Sequence, residues 1–475
     1  MKPPSDFSWP TGGVFPVLHD LPVSSLLAPE SITLPKRAFE HEKVLSHELV
    51  LSALEPLELL IRRSRVARTL SAAIELQQEL AQEAWAGRSR DRGLKAARAA
   101  VQREIRLAKQ AGDSERLLGL GQEAERLRVA LRANQRRRYA FRVVQDGIIW
   151  RALGFDRQVI ATLGRANPVN YPSDSFPEEY AQAQEHWHAG RLALFCDISN
   201  CARSGDLIVL DPENQQTILH EVKERPDASP ETRQMKLLQM KVAFLNSGRS
   251  EELEPGAPLL LGRSRPRLKT HLSALGDLLR QAEQRGWAVG RVGEHTSAFA
   301  TDARGGDRAT IEREFRTSLQ REDRLVHQLN WQAADTYPYT SLHRIERDAR
   351  NAFVATAPLS IFPLPAATCA ALSLGVAAYR LTINLGHLRG QLQQAGWTVV
   401  PPDAIAEADK GFLLLARQGS LIRVPTTLAD QLVVESLTFG AFRQMLEHVL
   451  PLIRDGGDDK VHVSMGWRQE ERLWN

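Results

Sequence analysis

From Glu42 to Arg138 the chain is dominated by Ala, Leu, Glu, Gln and Arg, with apolar residues at helical spacing: Leu45, Leu49, Val50 and Leu54, then Leu57, Leu60 and Ile61. That period commits the region to helices. Gly87, Gly93, Gly112 and Gly119-Leu120-Gly121 punctuate it and predict several helices joined by short turns. Residues 61–140 hold nineteen Arg and Lys against nine Asp and Glu, an excess of +10 in a chain whose net charge is +4, so the remainder carries −6. Such an arm can lie along a phosphate backbone, with Arg132 and the dense cluster Arg136, Arg137 and Arg138 as its contacts. It can equally be a solvated hairpin whose arginines pair with neighbouring glutamates. Trp85 and Tyr139 are its only aromatics, too few for a single-strand stacking platform.

At 475 residues, with 43% apolar and 25% charged residues, the composition suits a soluble globular protein of a few domains. It excludes collagen-like, wholly disordered and multi-span membrane chains. Three cysteines, Cys196, Cys201 and Cys369, are too few for a disulfide framework and point to a reducing, cytoplasmic setting. The opening residues lack the apolar core of a signal peptide. An uncharged stretch at 351–379 raises the membrane question, but Pro358, Pro363 and Pro365 followed by the small-residue run 366–378 predict a short buried helix instead. His186, His188, Cys196 and Cys201 are poorly spaced for zinc. There is no phosphate-binding loop, dinucleotide fingerprint or serine-nucleophile elbow, so any ATP hydrolysis falls to a helicase or ATPase partner.

Four regions follow: an extended segment 1–41, the basic helices 42–139, an α/β unit 140–262 and an α/β C-terminal region 263–475. In the third, helices over 141–163 and 178–188 precede strands at 192–195, 207–210 and 217–222. The last two are joined by the turn Asp211-Pro212-Glu213-Asn214. A helix opened by Ser229-Pro230-Glu231 runs to 246, and a buried strand follows at 258–261. In the fourth, two helix-to-strand junctions read alike, Gly286-Trp287-Ala288-Val289 and Gly396-Trp397-Thr398-Val399. They mark either a duplicated unit or a shared helix cap.

The chemistry concentrates in the hairpin. Asp206 opens one strand after Gly205, and Glu221 and Lys223 lie two apart on the next, so they share a face while His220 points the other way. Two carboxylates and a lysine converging there suit Mg²⁺ or Mn²⁺, with the lysine serving water and phosphate. Asp197 ends the first strand, near the same point, and a turn-forming role explains it as well.

Gly205-Asp206, a turn, then Glu221-Val222-Lys223, within an αβββαβ order over 140–262, resembles the PD-(D/E)XK nuclease superfamily with its restriction-endonuclease-like fold. Gly205 stands where that pattern has its proline. The resemblance implies Asp206, Glu221 and the Val222 carbonyl as metal ligands and Lys223 as the residue that serves the water. It adds an acidic residue from the preceding helix, for which Asp146 is the choice, and a glutamine from the following one, Gln234 or Gln239. It implies a Mg²⁺- or Mn²⁺-dependent nuclease acting on nucleic acid, DNA before RNA, in phage defence, restriction or repair. The rival expectation is a non-catalytic binding or adaptor subunit that uses the basic helices, self-associates as a homo-oligomer or works under a partner's control.

Overall fold

A computed structural model describes residues 44–154, 160, 163, 174–202, 205–211, 216–220, 240–241, 249–250, 259–261, 269–293, 295–305, 317, 336–340, 357–400, 413–417, 420–424, 438–455 and 462–464. The architecture is mixed α/β. In chain order come α1 (Glu48–Leu51), α2 (Leu54–Val66), α3 (Leu70–Ala111), α4 (Ser114–Ala152), α5 (Phe176–His188) and strands β1 (Leu192–Phe195), β2 (Leu207–Asp211) and β3 (Gln216–His220). Then follow β4 (Arg249–Ser250), β5 (Leu259–Leu261), α6 (Leu272–Arg285), β6 (Trp287–Gly293), β7 (Thr296–Asp302) and β8 (Thr336–Thr340). A 3₁₀ turn (Leu359–Ile361) leads to α7 (Ala366–Leu374), β9 (Ala377–Asn384), α8 (Leu385–Gln394), β10 (Thr398–Val400), β11 (Leu413–Arg417), β12 (Ser420–Val424), α9 (Phe439–Asp455) and β13 (His462–Ser464).

After the short helices α1 and α2, the basic region from Leu70 on is not several short helices. It is a hairpin of two long ones, α3 with 42 residues and α4 with 39. Only Gly112 makes a turn: at φ 69° it caps α3, and Asp113 then caps α4 by accepting from the Arg116 amide at 3.0 Å. A glycine inside a helix costs only about 1 kcal/mol, which long helices absorb. Gly87 is required where it stands, because a Cβ there would lie 2.9 Å from Arg138 Cγ of the facing helix. The boundary drawn on composition between 139 and 140 falls inside α4, which passes through it unbroken.

Towards the turn the hairpin narrows to a two-stranded seam. Leu94, Val101, Ile105 and Ala108 of α3 face Leu117, Leu120, Ala124, Leu127 and Leu131 of α4 in the three-and-four spacing of a coiled coil. At the other end the hairpin joins the main core, through buried Leu76, Leu80, Ala84, Val144, Ile148 and Ile149. The anticipated short helix is there too: α7 is buried, and Arg65 of α2 reaches the segment before it, donating to the carbonyls of Ser360, Phe362 and Leu364 at 2.7–2.9 Å. Among the described residues no helix is long and apolar enough to cross a membrane.

Strands β1, β2 and β3 form an antiparallel meander with Phe195 opposite Leu207 and Leu207 opposite His220. The expected fourth strand, β5, is hydrogen-bonded elsewhere, between β4 and β13. That partner lies some two hundred residues on, beyond any local pattern. The described residues therefore establish the α-helix and three-strand part of the expected order, not the complete core. Downstream, β6-β7-β9-β8 and β10-β11-β12 make two further antiparallel sheets. Gly286 and Gly396, both at φ 82°, lead into different ones: the two glycine-tryptophan junctions share a left-handed turn after a helix and no common sheet.

Candidate metal centre

Aromatic packing seats α5 on β1. The Phe195 ring meets Phe176 at 5.2 Å and Tyr180 and Trp187 at 6.0 Å, and Trp187 Nε1 donates to the Ala193 carbonyl at 3.1 Å. Phe176, Ala183 and Trp187 make the buried face of the helix, and Glu179 stands in that same row, 0% exposed. Ser175 Oγ, one turn earlier, donates to Glu179 Oε1 at 3.1 Å and aims the carboxylate.

Two buried glutamines tie the hairpin to the end of β1. Gln77 Nε2 donates to Gln145 Oε1 at 2.7 Å, and Gln145 Nε2 donates to Gln77 Oε1 and to the Phe195 carbonyl at 3.0 and 2.9 Å. A satisfied polar network in a dry core holds its members to one geometry. Here it fixes the point from which buried Asp197 departs, two residues on. Asp146 secures the loop beyond: its carboxylate accepts from Ser199 Oγ (2.7 Å), the Asn200 amide (2.7 Å), Asn200 Nδ2 (2.9 Å) and the Cys201 amide (3.1 Å).

Asp206 arrives from the other side. Gly205 has φ 76°, and a Cβ on it would stand 3.0 Å from the His220 carbonyl, so only glycine fits. The Asp206 amide donates to that carbonyl and the Asp206 carbonyl accepts from the Cys196 amide, both at 2.9 Å. Its backbone thus bridges β1 and β3.

The result is a convergence of three carboxylates. One oxygen each from Glu179, Asp197 and Asp206 lies within 4.8 Å of the others, Glu179 and Asp197 buried and Asp206 half-buried. Ionised at that spacing, each pair repels by about 3–4 kcal/mol at an effective dielectric near 20, a repulsion that a cation or proton uptake relieves. An all-oxygen donor set of this size fits a hard divalent cation. Lys241, 1% exposed, contributes to the local field. Burial pushes the Cys196 thiol well up and Asp206, Asp197 and Glu179 push it further, while Lys241 pulls it down. Cys201 is likewise raised, by burial and then by Asp146. Buried, protonated thiols are poor zinc ligands. His220 stacks edge-on against His186 at 5.6 Å, and burial lowers the pKa of both.

Of the residues singled out from sequence, Asp206 is in this cluster, and so is Asp197, which the sequence placed near the same point. Asp146 is not: its oxygens are spent on the 199–201 loop, and the helix carboxylate at the centre is Glu179 of α5. Glu221, Val222, Lys223, Gln234 and Gln239 lie outside the described residues. The arginine cluster is also corrected. Arg137 forms a two-point pair with Glu83 (2.7 and 3.0 Å) and lies over the Phe141 ring, Arg138 is 3.7 Å from Asp91, and Arg136 is buried. These three are engaged within the fold: Arg137 and Arg138 meet acids of α3, and Arg136 is buried. Arg132 alone of the four is exposed.

Glu179 and Lys241 were missed. Glu178-Glu179 after Pro177 reads as an acidic first turn, yet Glu179 shares the period of Phe176 and Ala183, and a carboxylate on an apolar stripe was the available signal. Lys241 had none. Comparison of the chain with protein-family models, with curated proteins and with solved structures found no match.

Proposed function

We propose that the chain is a metal-dependent nuclease whose centre is built on Glu179, Asp197 and Asp206, with Glu221 and Lys223 contributed from the sequence that follows β3. The observation that carries this reading is the meeting of three carboxylates, from a helix, a strand end and a strand start, at one edge of the meander. A cation between them relieves the repulsion that three carboxylates so close exert on one another. A divalent cation held there supplies Lewis acidity toward a phosphate oxygen and toward water. The chain's own groups do the rest: the glutamine network and Asp146 hold Asp197, Gly205 lets Asp206 approach β3, and buried Lys241 offsets part of the negative charge. Lys223, two residues after Glu221, has the chemistry to orient the attacking water. Mg²⁺ or Mn²⁺ and DNA are the preferred metal and substrate.

The test incubates purified chain with circular and linear, single- and double-stranded DNA, in Mg²⁺, Mn²⁺ or EDTA. Metal-dependent cutting that vanishes in Asp206→Asn and Lys223→Ala is expected. Absence of cutting under every condition, or equal cutting by wild type and both variants, overturns the reading.

A further inference from the structure

The charged side chains of the distal hairpin divide unevenly between its two helices. On α4, Arg126 and Arg128 pair with Glu123 and Glu125 at 3.2 and 2.7 Å, and Arg116 reaches across to Glu104 at 3.2 Å. On α3 the cations nearer the core are also engaged: Arg88 and Arg92 with Asp174, and Lys95 with Asp91. Beyond Lys95 the pairing stops. Arg98, Arg103, Arg106 and Lys109 are exposed and form no ion pair among the described residues, and the only acid among residues 95–111, Glu104, is taken by Arg116. At about 100° per residue the four free cations fall within an arc of about 140° on one side of α3. Four unpaired cations so close repel one another and are held together only by the helix.

We infer that this stripe, and not the arginine cluster at 136–138, is where the chain grips the phosphate backbone of a nucleic-acid duplex. The partner's class rests on the nuclease reading; the location does not. Its position sets a distance. Gln77 touches the end of β1, where the carboxylates gather, and Arg98 and Lys109 stand 21 and 32 residues further along the same helix. At 1.5 Å per residue the stripe lies about 30–50 Å from the level of the acidic centre. A duplex turn is about 34–36 Å, so a strand at the centre meets the stripe one turn or more away. The arm thereby measures substrate length.

The experiment uses the full chain in EDTA. Anisotropy of a labelled 40-base-pair duplex is followed against salt for wild type, for Arg98→Gln/Arg103→Gln/Arg106→Gln/Lys109→Gln, and for Arg116→Gln/Arg126→Gln/Arg128→Gln. The control removes nearly as much charge from cations that are paired. Glutamine keeps helix propensity, and circular dichroism checks that the arm persists. The stripe variant should bind at least about 30-fold more weakly at 0.1 M salt, with a log–log salt slope shallower by about 3–4. The control should lose less than about 5-fold. In Mg²⁺, cutting of the 40-mer by the stripe variant should fall to the rate seen with an 8-mer, which at about 3.4 Å per base pair is about 27 Å long and too short to span both places.

Equal weakening by both variants, no weakening by either, or no duplex binding by wild type at 50 mM salt overturns the assignment. So does a stripe variant that changes sedimentation but not duplex binding, since the stripe then meets a second copy of the chain. Stripe-dependent binding with no cutting would remove the nuclease reading and leave the stripe; cutting with stripe-independent binding would do the reverse.

Discussion

Residues 75–91 and 95–111 belong to one continuous helix, the first with four acidic and two basic residues and the second with one and five, and their charged groups have opposite fates. In the first stretch, Glu79 and Glu83 of α3 are answered from neighbouring helices by Arg63 (2.5 Å) and Arg137 (2.7 Å), and Gln77 sits in a closed network. In the second, four of five basic side chains have no counter-charge among the described residues. Part of the difference is this composition, and the rest is what lies alongside. Near the meander, α3 is packed on several sides, and a charge there must find a partner or forfeit its hydration. Past residue 94 only α4 accompanies it among the described residues, and water solvates the exposed side chains. The helix is scaffold at one end and an exposed electrostatic surface at the other.

The sharpest way to break this contrast is at the acidic centre that the packed half supports. Asp206→Asn and Glu179→Gln should each reduce metal-dependent cleavage by at least about 100-fold. Both should also abolish the rise in melting temperature that saturating Mn²⁺ gives wild type, about 2.7 kcal/mol at a hundred times the dissociation constant. Full thermal stabilisation by Mn²⁺ in either variant would detach the cluster from the metal.

Next is the polar network. Gln145→Ala strands the Gln77 amide and the Phe195 carbonyl in a dry core and should cost about 2–3 kcal/mol in chemical denaturation. An unchanged midpoint would mean that the glutamines do not position β1. The pairs sharpen the comparison directly. Arg137→Ala, which leaves Glu83 largely buried, should cost about 1–3 kcal/mol, whereas Arg126→Ala on the solvated arm should cost less than about 0.5. Equal costs would erase the distinction between the halves.

The smallest effect is in pH. His186 and His220 both have folded pKa values below the ordinary histidine value, so the unfolded chain takes up protons more readily. Their contribution is intact above the unfolded value near 6.5 and is lost as pH falls toward the folded values. Unfolding midpoints measured between pH 7.5 and 5 should fall less steeply in His220→Asn than in wild type; identical slopes would remove the pair from the account.

Sequence and structure agree where the determinants are local. The meander, Gly205 and its aspartate, the helix-ending glycines and the buried helix after Pro365 each follow from a short pattern with one physical reading. Legibility fails where a partner is distant. Nothing near Arg137 announces that Glu83 faces it 54 residues away, so an internally paired cluster reads as a binding patch. Asp146 sits on a helix before the hairpin as the family pattern asks, and only its four donors in the 199–201 loop show that it is already engaged. Glycines at 87, 93, 119 and 121 read as turns because local propensity cannot register a coiled-coil seam that carries helices through them. Glu179 could have been found, since its register is the register of the apolar face.

The central claim is that Glu179, Asp197 and Asp206 hold one divalent cation. Crystals grown with Mn²⁺ and measured at its absorption edge test it directly. The account predicts an anomalous peak within coordination distance of all three carboxylates, absent in Glu179→Gln. A cluster with no peak at saturating Mn²⁺, or a peak unchanged in that variant, would contradict it.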